Sequence, residues 1–347
     1  MELIKLKNDR QSNLELLRII AIFLIIGHHL ALYSKININS YFSFNTVFID
    51  ILIIGGKLGA ILFIIITGYF SISKDFNYKK TIKLELQILF YSVLFLCIFL
   101  ILQNKIDYKI GLKQIIQNIF PTIFTRYWFM TNFILLYIFS PYLNIFIKNI
   151  DKEKLKKLII ILIIILMIIP GFTTSKLALD NLIYFIFYYI LGAYIFLYGD
   201  DIKKYNYKNF TIIFYIITIL YSVSCRFLSQ YVSALGNYIN HFSGISSVLI
   251  LFISYNLFMW FLNVHIKQNK FINTIASTTL GIYLIHDNEF VRKILWSFFD
   301  TLLLKLGQNY LVLIGIIFIL AVFTVCCIIE FLRKKTIDDK IISKILK

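Results

Sequence analysis

Glu15, Arg18, His28 and His29 stand in the stretch NLELLRIIAIFLIIGHHLAL (Asn13–Leu32), where every residue between Arg18 and His28 is apolar or glycine. Such a run reads as a membrane-crossing helix, and charged or titratable side chains inside one cost enough to mark a site. On a helix turning about 100° per residue, the step from Arg18 to His29 closes three turns plus about 20°. The two side chains therefore share a face, about 16 Å apart along the axis, while His28 lies about 100° further round. Glu15, at i−3, is spaced to pair with the Arg18 guanidinium and fix its direction. That face offers an anion-binding cation at one end and an imidazole, base or nucleophile, at the other. A snorkelling arginine and a structurally bonded histidine are the plain alternatives for either residue alone; the shared face and the Glu15 neighbour favour a site.

Three further groups carry polar chemistry. TTLGIYLIHDNEF gathers His286, Asp287 and Asn288 with Glu289 at the outer end of an apolar run, in the same leaflet as His29. These residues suit an acceptor end, where His286 and Asp287 bind or orient a hydroxyl; no His-x3-His or Cys/His spacing accompanies them, so no metal is expected. Lys80 and Lys83 open a later apolar run, and they read either as a phosphate grip or as flanking positive charge. Arg126, Tyr127 and Trp128 stand together at another helix end, either as an interfacial belt or as a hold on a sugar or an anionic acceptor group. His241 and His265 fall in polar loops and read as surface residues.

The elements that must position these residues are membrane helices. The chain has 347 residues, 59% hydrophobic and 17% aromatic, with only three prolines, and a mean hydropathy of +0.81. That excludes an ordinary soluble protein and predicts an all-α, polytopic helix bundle. Ten spans are expected, at 14–34, 47–70, 82–102, 129–147, 157–171, 180–198, 209–227, 243–262, 271–287 and 309–332. With the N-terminus inside, 23 of the 35 Lys and Arg residues fall in inner segments and ten in outer ones, which puts both termini in the cytoplasm. The net charge of +17 is thus a topology signal, and no nucleic-acid partner is expected.

The first run lacks a small-residue cleavage site, so it reads as a retained span. Segment 103–128 is too polar to cross and amphipathic enough to lie on the outer face. Cys97, Cys225, Cys326 and Cys327 all sit in apolar runs and read as buried free thiols. Segment 157–171, nearly pure Ile and Leu, reads as lipid-facing. One membrane domain at 10–335 is expected, followed by a short basic cytoplasmic tail at 336–347. The bias to Ile, Lys, Asn and Phe suggests an AT-rich bacterial genome, hence a bacterial plasma membrane.

Arg18-x10-His29, in the setting ELLRIIAIFLIIGHH, resembles the opening of the acyltransferase-3 family of integral-membrane O-acyltransferases. The likeness continues through GAILFIIITGYF (Gly59–Phe70), RYWFMTNFILLYIFSPYLN (Arg126–Asn144) and TLGIYLIHDNEFVRKILW (Thr279–Trp296), in that order. It implies that His29 is the catalytic base and that Arg18 belongs to the same signature, with Glu15 beside it. Lys80-x-x-Lys83 looks like a lysine version of an Arg-x-x-Arg pair that the family often carries. With Arg18 these lysines would hold the phosphates of acyl-CoA, most simply acetyl-CoA, arriving as a co-substrate; no permanently bound cofactor is expected. The resemblance implies a hydroxyl acceptor on a cell-surface polysaccharide or its lipid-linked precursor, met by Arg126, Trp128, His286, Asp287 and Asn288, with membrane lipid as the remaining partner. Family members with an appended extracytoplasmic hydrolase-like domain are longer at the C-terminal end than this sequence. The rival class is a transporter or flippase for a polysaccharide or lipid-linked sugar; Gly/Pro-interrupted helix pairs in matching halves, its usual mark, are not evident.

Overall fold

The computed structural model describes residues 11–36, 43–102, 109–173, 181–199 and 205–342, with side chains to 338. Residue 10, Lys105, Lys176 and the tail beyond 342 lie outside the described residues. Nine helices among the described residues are long and apolar enough to cross a membrane. Seven of them are α1 (Ser12–Tyr33), α2 (Phe44–Ser71), α3 (Tyr78–Leu102), α5 (Trp128–Asn149), α6 (Lys152–Thr173), α7 (Asn181–Tyr198) and α8 (Tyr207–Leu228). The other two contain α9 (Val248–Asn263) and α13 (Leu311–Arg333). The amphipathic α4 (Leu112–Ile119) is short and leans on α3, where Ser92 Oγ donates to the Asn118 carbonyl at 2.8 Å.

Local chemistry fixes where these helices start. Ser43 and Thr46 form a reciprocal cap on α2, and Asp151, Asn206 and Ser247 each accept a backbone N–H at the first turn of α6, α8 and α9. In α6 a π-helical turn, Ile164–Ile168, precedes Pro170, whose missing N–H loosens the ladder there.

The ninth expected span, 271–287, is made of two short helices, α10 (Lys270–Ala276) and α11 (Thr279–His286). They are followed by α12 (Glu289–Leu306), which Asn288 caps. The pair runs alongside α1 in the same direction. Ser12 Oγ donates to Asn273 Oδ1 at 3.1 Å at one end, and His29 meets His286 at the other. Those two rungs are separated by about 25 Å along α1, close to the depth of a bilayer core. The broken pair therefore crosses with its neighbour. Thr278, at the break, turns its hydroxyl back to the Ile275 carbonyl at 2.7 Å.

Helices α1 and α2 form the centre, and small residues let them touch. A Cβ at Gly55 would stand 2.9 Å from the Leu24 carbonyl oxygen, and one at Gly59 would press on that of Ala21. Gly68 and Gly192 face the α7 and α2 backbones in the same way. In a bilayer, where burial gives no hydrophobic drive between helices, such close approach is what holds them. The outer faces are greasy. Ile160, Ile161, Ile164, Ile165 and Ile168 of α6 are exposed, as expected for a lipid-facing helix. Cys97 is also exposed on α3, unlike the buried thiol expected; its helix presents that side to lipid. Beyond α13 a π-helical stretch, Lys334–Ile342, carries part of the expected tail onward, and Asp338 folds back onto Arg333.

Candidate active site

Two ends of the bundle matter. At the end where the lysines gather, Arg18 Nη1 donates to Glu15 Oε1 at 2.7 Å, the pairing their spacing requires. Glu15 is buried, so the guanidinium is held from below while its outer edge borders a cavity of about 340 Å³. Thr67, Lys80, Gln87, Phe129 and Tyr283 also line that cavity. Lys80 belongs equally to a second cavity of about 490 Å³, whose rim carries Lys74 and Lys148 with Asn144. The expected lysine pair is divided. Lys80 faces the cavities, whereas Lys83 turns to Asp338 Oδ2 at 3.1 Å and lines neither.

Ile25, Phe129 and Tyr283 border both the 340 Å³ cavity and a small chamber of about 100 Å³. His28, His29, Tyr33, Lys57 and Trp128 also line the chamber, with Leu32, Gly56 and Ala60. The lining thus passes from Lys74 and Lys148, by Lys80 and Arg18, to His29. Helix α1 supplies Arg18, Ile25 and His29 from one stripe, which is what the eleven-residue spacing encodes.

Around His29 the contacts fix the protons. His286 is fully buried, and its Nδ1 lies 2.6 Å from the Ile282 carbonyl of its own helix, so that nitrogen carries the hydrogen. A neutral imidazole then leaves Nε2 as an acceptor. His29 Nδ1 sits 3.0 Å from that Nε2 and must donate to it. His29 Nε2 is left unprotonated, which is the state a base needs. Asp287 Oδ1 stands 3.7 Å from His29 Nδ1, near enough to stabilise an imidazolium. The same carboxylate is 3.3 Å from Arg292 Nη1 and 3.5 Å from the Tyr33 hydroxyl, and Arg292 also donates to Tyr33 at 2.7 Å. His28 turns the other way, to the Ile53 carbonyl at 2.9 Å, as the helical projection requires; its ring still borders the chamber.

The remaining expected acceptor residues divide. Trp128 borders the chamber, with the Lys57 ammonium 3.7 Å above its ring centre. Asn288 is committed to the scaffold: it caps α12 and donates to the Tyr127 hydroxyl at 2.8 Å. Arg126 is ion-paired with Glu289 and bonded to Gln117 at 3.0 Å, tying α4 to α12 outside the chamber lining. Tyr33, Lys57, Tyr283 and Arg292 are the site residues that sequence reasoning passed over. Only Lys57 had a visible signal, a charge midway through an apolar run.

Compared with protein families, residues 11–331 match acyltransferase-3, described as an acyltransferase domain. Neither a curated protein nor a solved structure matches the chain.

Proposed function

This chain belongs to the acyltransferase-3 family, and from that premise we propose an O-acyltransferase that is most simply an O-acetyltransferase. It is a multi-pass membrane acyltransferase of the non-aminoacyl kind. In this reading the basic end faces the cytoplasm of a bacterial plasma membrane, as the distribution of Lys and Arg favours. Acyl-CoA enters there, with its phosphates near Lys74, Lys80, Lys148 and Arg18. The pantetheine arm lies in the cavity beside α1, and the thioester reaches the His29 chamber. The acceptor, a hydroxyl of a cell-surface polysaccharide or its lipid-linked precursor, comes from the opposite end.

The observation that carries this reading is the shared lining that joins the basic mouth to His29. About 16 Å of helix between Arg18 and His29 suits an extended carrier arm. His29 Nε2 takes the proton of the acceptor hydroxyl as it adds to the thioester carbonyl. Asp287 then faces the imidazolium that forms, and His286 keeps the ring in register. An acyl-carrier role would use the same nitrogen, and rapid quenching for acetyl-histidine separates the two.

The test is transfer of labelled acetyl from acetyl-CoA to glycan in membranes holding the wild-type chain or His29→Ala at equal abundance. Transfer is expected to vanish in the variant. Retained transfer overturns the reading.

A further inference from the structure

Every arginine among the described residues has a carboxylate partner: Arg18 with Glu15, Arg126 with Glu289, Arg226 with Asp50, Arg292 with Asp287, and Arg333 with Glu330 and Asp338. Lys57 breaks the pattern. It stands halfway along α2, with no carboxylate in ion-pair contact among the described residues, and its ammonium lies over the Trp128 ring. An unpaired cation in the middle of a membrane helix is costly and, by default, functional. The aromatic face offsets part of that cost without cancelling the charge.

Its position gives the charge a task. Lys57 lines the His29 chamber together with Tyr33, Trp128 and Tyr283. Asp287, the nearby carboxylate, is already engaged by Arg292 and Tyr33. The chamber therefore keeps one uncompensated positive charge. Two anions are candidates: a fixed charge on the acceptor, or the charge that develops on the carbonyl oxygen during transfer. Position decides between them. The ammonium lines the same chamber as His29, the base that takes the acceptor proton, so the carbonyl attacked by that hydroxyl lies beside both groups.

The geometry points to Lys57 as the group that stabilises the oxyanion of the tetrahedral intermediate, a role that rests on the acyl-transfer reading above. The hydroxyl oxygen adds to the thioester carbon, a C–O bond forms, and the carbonyl π pair moves onto oxygen beside the Lys57 ammonium. His29 Nε2 holds the hydroxyl proton. The pair then returns, the C–S bond breaks, and the CoA sulfur leaves with the proton from His29. A preset cation favours that intermediate over the neutral thioester, so it acts on kcat. A permanent carboxylate partner would cancel the effect, which accounts for its absence.

The test compares wild type, Lys57→Met, Lys57→Gln and Lys57→Arg in native membranes, using labelled acetyl-CoA and the endogenous glycan, with rates normalised to protein. Removing the cation should lower kcat by roughly 10²–10³-fold. The KM for acetyl-CoA should stay within about threefold, because the change acts on the transition state. Lys57→Arg should recover at least part of kcat. The melting temperature of solubilised Lys57→Met should equal or exceed that of wild type, since an unpaired cation midway along a membrane helix has been removed. Should Lys57→Met not accumulate, Lys57→Gln gives the same kcat comparison. Unchanged kcat in the neutral variants, or a loss confined to the acceptor KM, overturns the proposal while leaving acyl transfer intact. Absence of transfer by the wild-type chain overturns both.

Discussion

His29 and His28 are neighbours in sequence that differ in what their ring nitrogens touch. His28 is held by a carbonyl of α2, whereas His29 is held by another imidazole that itself has a fixed tautomer. His286→Ala removes the acceptor for His29 Nδ1–H and frees the ring to rotate or change tautomer. Its expected effect is a kcat lower by roughly 10²–10⁴-fold, the range of a general base lost from register, with the acetyl-CoA KM little changed. His28→Ala should retain much of the rate; equal losses at both positions, in matched membranes, would contradict the tautomer chain. Arg18 makes a different prediction, about binding. A charge-assisted bond to a phosphate contributes on the order of 1.5–3 kcal/mol. Arg18→Ala should therefore raise the acetyl-CoA KM by roughly tenfold to a hundredfold. Lysine there should recover part of it, since it returns charge without the planar fork. Recovery of both folding and rate in the double change Glu15→Gln with Arg18→Gln would instead make the pair structural. The Arg18–His29 stripe and the Glu15 contact were legible in the sequence because they lie on one helix, where spacing is geometry. Lys57, Tyr33 and Arg292 were not, because their meaning comes from contacts between helices distant in sequence.

The helices themselves were legible from apolar run length; seven of the nine long ones begin and end within five residues of expectation, while Ser233–Asn263 starts ten residues early and Gln308–Asp338 ends six residues late. The composite crossing of α10 and α11 was not readable as broken. Neither glycine nor proline marks the break, only Ser277 and Thr278, whose hydroxyls bond back to carbonyls of the preceding turn. Likewise Lys83 shares a sequence motif with Lys80 but is drawn off by Asp338, a partner supplied by the far end of the chain. That far end is anchored by Glu330. It accepts from Gln87 at 3.0 Å, from Tyr91 at 2.6 Å and from two nitrogens of Arg333, all buried between α3 and α13. Since Gln87 also borders the 340 Å³ cavity, this cluster supports the cavity wall. Glu330→Ala leaves the Arg333 charge buried with one carboxylate partner fewer. It should cost about 3–5 kcal/mol, read as a clear drop in melting temperature of the solubilised protein. A melting temperature equal to wild type would mean the cluster is solvated and carries no such weight.

Across the whole molecule, contacts between helices fix which ends lie together. Ser12 meets Asn273 and Asn13 meets the Phe261 carbonyl at the lysine-rich end. Asn45 meets the Gln308 carbonyl and Arg226 meets Asp50 at the other. Arg18 belongs to the first end and His29 to the second, so donor and acceptor are proposed to approach from opposite sides of the bilayer. Sealed vesicles of opposite orientation test that directly, with labelled acetyl-CoA added only to the outside and incorporation into glycan measured for wild type and His29→Ala. Vesicles with the basic face outward should label the glycan in a His29-dependent way, and vesicles with that face inward should not until they are permeabilised. Equal His29-dependent labelling of both kinds while sealed would contradict a route that enters at Arg18 and ends at His29.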